Sequence, residues 1–283
     1  MMTTSMSSPS PRLSERLLAR PSVRAVLALL CVLIPFALAI VLTNSVPKPW
    51  RATWPLLLAA AGVVAGYAFY VRKVERRALT ELASAGMWRE LGSGIGIGAL
   101  LAVSCSVILL ASGAWSVTGL AAPGVMLKPL PEQIMVALFE EILFRAVIFR
   151  LLEQSWGMKA ALVGSTLLFV LAHMPNDGFS LLAATMTGVA SLAFTFAWLV
   201  TRRLWLPVGL HFGWNYLLDG GVAVPVSGHA ARGWVQVGAS GPEWLTGGAY
   251  GIEGSVVTLV AWSVVGVVLA VVARRRNGSK RLG

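Results

Sequence analysis

A bundle of about eight transmembrane helices, all-α and polytopic, is the fold class this sequence predicts. Three observations predict it. The 283 residues are 57% hydrophobic and only 12% charged, with a mean hydropathy of +0.75, a composition outside the range of soluble domains. Apolar segments long enough to cross a bilayer recur along the whole chain, leaving no stretch for a sizeable soluble domain. The basic residues cluster beside those segments, with one sign of bias.

Residues 1–20 are rich in Ser and Pro and basic, and read as a disordered cytoplasmic tail. The transmembrane domain is expected over 21–273, and 274–283 as a second basic cytoplasmic tail. The first run, 25–43, has a signal-peptide alternative in Ala37-Leu-Ala39, which resembles a small-residue cleavage site, but it is long for such an apolar region and more spans follow, so a retained span kinked at Pro35 is expected. A short loop with Lys48, Trp50 and Arg51 leads to the second span, 55–71, and then to the basic run 72–77. The third span, 91–114, opens with Gly92/Gly96 and Gly94/Gly98, two small-xxx-small pairs that favour close helix packing. A loop rich in Pro and Gly follows, over 115–131. The remaining spans are expected at 134–152, 159–173, 180–200, 204–218 and 255–272, with a Gly-rich loop over 219–253. No internal repeat is evident.

Of the 23 Lys and Arg residues, 18 fall on the side of the two tails and four on the other; Arg145 lies within a span. The positive-inside rule therefore predicts cytoplasmic N- and C-termini. Trp50, Trp54, Trp88, Trp115, Trp156 and Trp205 fall at span ends, where interface aromatics belong. The net charge of +11 is membrane anchoring of this kind and gives no sign of nucleic-acid binding. Cys31 and Cys105 lie in apolar runs and read as packing residues.

The fourth span carries Glu140, Glu141 and Arg145 in an otherwise apolar run. Ionisable groups at membrane depth are costly and usually functional. Glu141 and Arg145, at i,i+4, can pair along one side of a helix. Glu140 lies one residue round the helix, so the pairing leaves it available for chemistry. The alternative is that all three only lock helices together. Two of the three histidines, His173 and His211, are also at membrane depth, and His211 shares a helix face with Asn215. His229, in the Gly-rich loop, reads as incidental.

Glu140-Glu141-x-x-x-Arg145, Phe169-x-x-x-His173 and His211-x-x-x-Asn215 resemble the three motifs of the CPBP intramembrane proteases, a family of type II CAAX prenyl endopeptidases and bacteriocin-processing or Abi immunity proteins. The resemblance covers about 134–218. It implies an eight-helix bundle with a site between helices, hydrolysis of a peptide bond near the membrane, and an integral protein of a bacterial cytoplasmic membrane.

Peptide hydrolysis needs a base for water and donors for the oxyanion. A carboxylate in apolar surroundings is a stronger base than one in water. Glu140 with His173 is expected to activate the water, Glu141 and Arg145 to orient the helix, and His211 and Asn215 to hold the oxyanion. The competing mechanism is a zinc ion on Glu140, His173 and His211, the ligand set of an open catalytic site; no HExxH is present. The expected partners are a peptide or protein substrate and membrane lipid. Two other readings are a non-catalytic scaffold or immunity protein of the same fold, and a proton-coupled transporter, which predicts inverted repeats that the sequence does not show. Counting about 1.5 Å per residue along each span puts Glu140 and His173 in the outer half of the membrane, Asn215 near its middle and His211 somewhat below. A cavity opening to the extracytoplasmic face is expected.

Overall fold

The computed structural model describes Leu18, 20–47 and 54–279. Trp50, the loop around Lys48 and Arg51, most of the N-terminal tail, and Lys280 and Arg281 lie outside the described residues, as does the side chain of Trp54. The helices are α1 (Pro21–Ser45), α2 (Trp54–Phe69), α3 (Met87–Ala111), α4 (Leu130–Glu141), α5 (Arg150–His173), α6 (Leu181–Thr201), α7 (Trp205–Tyr216), a short α8 (Glu243–Thr246) and α9 (Val256–Ser279). Among the described residues five helices are long and apolar enough to cross a membrane: α1, α2 with its continuation to Val74, α3, α6 and α9. The rest of the bundle, α4, α5 and α7, carries the charged motifs. Wide-turn π segments extend three helices: Tyr70–Val74 after α2, Ile142–Phe149 between α4 and α5, and Leu217–Gly221 after α7. The fourth and fifth expected spans follow one another with no long loop and are separated at Gly157, whose φ of 80° and ψ of 176° break α5 into two helices.

Leu and Val side chains cover the outside, including Leu38, Val41, Leu100, Val163 and Val267, while Glu141, Arg145, His211 and Asn215 are buried. Apolar outside and polar inside is the distribution a lipid solvent demands. The protein is an integral membrane protein.

Two glycine contacts set the helix spacing. A Cβ on Gly94 would fall 2.4 Å from the Leu206 carbonyl oxygen, and one on Gly98 would fall 2.2 Å from that of Leu210. Gly209 and Gly213 of α7 meet Leu91 O and Ile95 O in the same way, at 2.3 and 2.4 Å. Helices α3 and α7 thus touch backbone to backbone, and α3 backs the helix that carries His211. Gly92 and Gly96 face open space, so only one of the two small-residue pairs packs a helix. On the other side, Pro35 has no N–H to bond the Cys31 carbonyl, and Gly66 of α2 sits against that oxygen, where a Cβ would be 1.9 Å away.

The two ends of the bundle differ. At one end lie 70–90, the Arg202–Leu204 turn and the end of α9, with most of the arginines. There Glu75 accepts hydrogen bonds from Arg77 and Arg150, and Arg77 also pairs with Glu81. Arg150 Nε donates to Ala146 O at 2.8 Å, and Tyr67 OH donates to the same oxygen at 3.4 Å, so the π segment after the motif is tied to the basic loop. Trp88 and Trp156 stand exposed at this end.

At the other end the expected loops are structured. The strand β1 (Trp115–Leu120) pairs antiparallel with β3 (Val235–Ala239), with an irregularity between Val117 and Gly119. A two-residue β2 (Val222–Ala223) runs parallel to β3, giving the order β1-β3-β2. Trp115 is therefore a buried strand residue and not an interface aromatic. Burial over 115–120 does not alternate, so no strand period marks the segment, and its partner lies more than a hundred residues away.

Candidate active site

The site is built where α4 passes into its π segment, opposite α7 and α6. Glu141 Oε1 accepts from Arg145 Nη1 at 3.1 Å and lies 2.9 Å from His211 Nδ1. Arg145 Nη2 donates to the Ser191 carbonyl at 3.1 Å and to its hydroxyl at 3.3 Å. Its guanidinium lies between the rings of Phe169 and Phe194, at 4.9 and 5.1 Å from their centroids. Cation–π contact and the hydrogen bonds together hold a charge that is 1% exposed. Phe194 also stacks on the His211 ring at 4.7 Å. His211 is thus held by a carboxylate at its edge and an aromatic face.

Fixing Nδ1 against Glu141 points Nε2 toward Glu140, whose Oε2 is 3.9 Å away. That distance is too long for a direct hydrogen bond and is the kind a bridging water spans. Glu140 Oε2 is buried and has no hydrogen-bond donor in the protein. His173 closes α5 and lies against Phe169, ring centroids 4.5 Å apart. Its Nδ1 is 2.8 Å from the Phe169 carbonyl, which can only accept, so Nδ1 carries the proton and Nε2 is left for other partners.

Glu140, His173, His211 and Asn215 line one cavity of about 110 Å³, which also takes in Phe169 and Phe194. Glu141 and Arg145 stand behind the wall. Six residues from three motifs are thus brought into one cluster. The depths counted from span ends separated Glu140 from His211, yet the two meet. The count assumed that α7 starts at the membrane edge. Instead Leu204 is fully buried and its N–H bonds the Glu81 carbonyl, so α7 begins inside the bundle.

The cavity has further polar walls that the motifs did not mark. Asp219 accepts from Gln133 Nε2 at 2.9 Å and from Arg232 Nη2 at 2.6 Å, and Arg232 Nη1 reaches Glu132 at 2.7 Å. Glu253 accepts from Trp214 Nε1 at 2.8 Å and from the backbone and hydroxyl of Ser227 at 2.6 and 2.5 Å. The 219–253 segment therefore folds over the mouth and is pinned by ion pairs. His229 lines this mouth and is not incidental in position. The spacing Asn215–Asp219, again i,i+4, was a sequence signal for Asp219. Nothing local marked Arg232 or Glu253.

For a metal ion on Glu140, His173 and His211, the Nδ1 atoms of both histidines lie against protein oxygens, which leaves Nε2 of each ring as the nitrogen a metal would take. Among the described residues no group of three or more His, Cys, Asp or Glu side chains is placed to hold a metal.

No curated protein and no solved structure matches the chain. Residues 122–217 match the family model described as type II CAAX prenyl endopeptidase Rce1-like. That stretch contains all three motifs and both sides of the Glu140–His211 contact, and over it the chain is similar to the type II CAAX prenyl endopeptidases.

Proposed function

We propose that the cavity hydrolyses a peptide bond of a membrane-associated or exported protein or peptide. Glu140 takes a proton from water as the oxygen attacks the peptide carbonyl carbon, with the free Nε2 of His173 accepting from the same water. The carbonyl π electrons move to oxygen, and Asn215 and His211 donate to that oxyanion. Collapse breaks the C–N bond, and the proton held by Glu140 passes to the leaving amine. Arg145 and Glu141 position His211.

The observation that carries this reading is the facing of Glu140 and His211 at 3.9 Å on a cavity wall shared with His173 and Asn215. The family match supports a protease in general. The 219–253 segment and the mouth residues Asn176, Ser227 and Arg232 lie at the end away from the basic loops. Under the positive-inside rule that end faces out of the cytoplasm of a bacterial cell, which supports exported or anchored substrates.

The test is peptidomics of membrane fractions from cells carrying the wild type or Glu140→Ala, followed by assay of purified protein on the peptides that accumulate. Glu140→Gln, His173→Ala and His211→Ala are each expected to abolish cleavage while the protein still inserts. Near-normal turnover by purified Glu140→Gln overturns the mechanism. Identical peptide profiles in the two strains overturn the function.

A further inference from the structure

A second pocket, at the basic end and far from the candidate active site, is lined by Arg89, Glu90, Val200, Thr201, Arg203, Arg275 and Arg276 and has a volume of about 460 Å³. It lies where the start of α3, the end of α6 and the end of α9 converge. Its charges are unequal: four guanidinium groups line it against one carboxylate, and Glu90 is bound by Arg203. Arg203 also donates to the Ala85 carbonyl, which fixes this wall to the loop before α3.

The surroundings identify the kind of anion. Arg275 continues a lipid-facing stripe of α9 at helical spacing, Val264, Val268 and Val271, whose side chains are 60%, 55% and 43% exposed. Arg89 heads a similar stripe on α3. It runs through Gly92 and Gly96, beside which there is open space, to the exposed Leu100, Val103 and Val107. Trp88, 75% exposed, stands next to Arg89 at the level of an interface aromatic. The pocket is therefore a cationic cup at the rim of two apolar tracks, one of them a shallow groove left by glycines that pack no helix.

We propose that this pocket binds the phosphate headgroup of an anionic phospholipid from the adjoining leaflet, with acyl chains along the α3 and α9 stripes. A soluble phosphate ester meets only the cup. A nucleic acid or an acidic protein has no use for apolar tracks buried in the bilayer. A phospholipid matches both parts, and basic pockets between helices are the usual way a membrane protein selects such headgroups. The proposal stands apart from the proteolytic reading, because none of its residues lines the active-site cavity.

The experiment is native mass spectrometry of the full-length protein in detergent, titrated with phosphatidylglycerol or with phosphatidylcholine of the same acyl chains. The wild type is expected to bind the first phosphatidylglycerol at least about tenfold more tightly, given a gain of about 1 kcal/mol per basic residue near a phosphate. Arg89→Gln/Arg275→Gln/Arg276→Gln removes exposed side chains only and is expected to keep the wild-type melting temperature in phosphatidylcholine and lose the preference. Arg72→Gln/Lys73→Gln/Arg76→Gln removes as many charges elsewhere at the same end and is expected to retain it. Gly96→Leu, which fills the groove and leaves every charge in place, is expected to weaken phosphatidylglycerol binding. An undiminished preference in the pocket variant overturns the site, and so does an equal loss in the control. Competition by glycerophosphoglycerol as effective as that of the intact lipid overturns the lipid assignment in favour of a free phosphate ester.

Discussion

Arg145 is held on several sides within the interior. One guanidinium bonds Glu141 and both oxygens of Ser191, and it lies between two aromatic rings. Removing it strands Glu141, which is fully buried, and frees His211 from a carboxylate of fixed position. Breaking one partner from a buried pair costs about 3–5 kcal/mol, an amount that protonation of the remaining acid reduces. Arg145→Ala is therefore expected to lower the melting temperature in detergent and the yield, as well as any activity. Arg145→Lys keeps the charge but loses the fork and the stacking, so it is expected to recover only part of the stability. An unchanged melting temperature in Arg145→Ala contradicts the role assigned to the pair. In the proposed mechanism the motif arginine is a positioning residue that reaches the cavity through Glu141 and His211.

At the scale of elements, the α3–α7 contact decides where His211 stands. Carbonyl oxygens fill the spaces that side chains at Gly94 and Gly98 would need, so Gly98→Val is expected to push the helices apart at a cost of about 1–3 kcal/mol or more. Gly96→Ala, two residues away and facing open space, is expected to be neutral or to gain up to about 1 kcal/mol from helix propensity. Thermal unfolding of the two variants in one detergent separates these outcomes, and equal losses refute the packing. The loop after α2 is a second such element. Burial alone raises the pKa of Glu75, but hydrogen bonds and charge from Arg150, and then from Arg77, outweigh it and hold the carboxyl below its usual value. A depressed carboxylate contributes stability that is complete above its unfolded pKa and is lost as pH falls through the folded one. The protein is expected to lose stability below about pH 4. Glu75→Gln is expected to melt lower at neutral pH and to show a shallower acid dependence. Parallel melting curves against pH for the two proteins count against this network.

For the whole molecule, the question is which way the cavity faces. Both ends of the chain's described part, the start of α1 and the end of α9, sit with the arginine-rich loops, while the mouth and the small sheet lie opposite. A single cysteine at Asp177, exposed in the turn after α5, reports on the mouth. In a background lacking Cys31 and Cys105 it is expected to react with a membrane-impermeant thiol reagent in intact cells. Labelling only after lysis reverses the orientation.

The sequence by itself determined the class of fold and the members of the cluster. Hydropathy registers each apolar span locally, and an ionisable residue in such a span is conspicuous wherever it occurs, so Glu140, Glu141, Arg145, His173, His211 and Asn215 were all legible without coordinates. The i,i+4 spacing of Glu141 and Arg145 indicated a bond that the helix could make alone. Only the tertiary structure decided what lies between helices. It set Glu141 against His211 as well as Arg145, aimed Nε2 at Glu140, and sorted the two glycine pairs into one that packs a helix and one that faces out. It also supplied Arg232 and Glu253 from a segment that reads as loop, and paired strands far apart in the chain. The physical reason is range. Hydrophobicity and helical periodicity are properties of neighbouring residues, whereas register and depth between helices are set by where backbones can touch and where buried polar groups find partners, and both depend on the whole bundle at once.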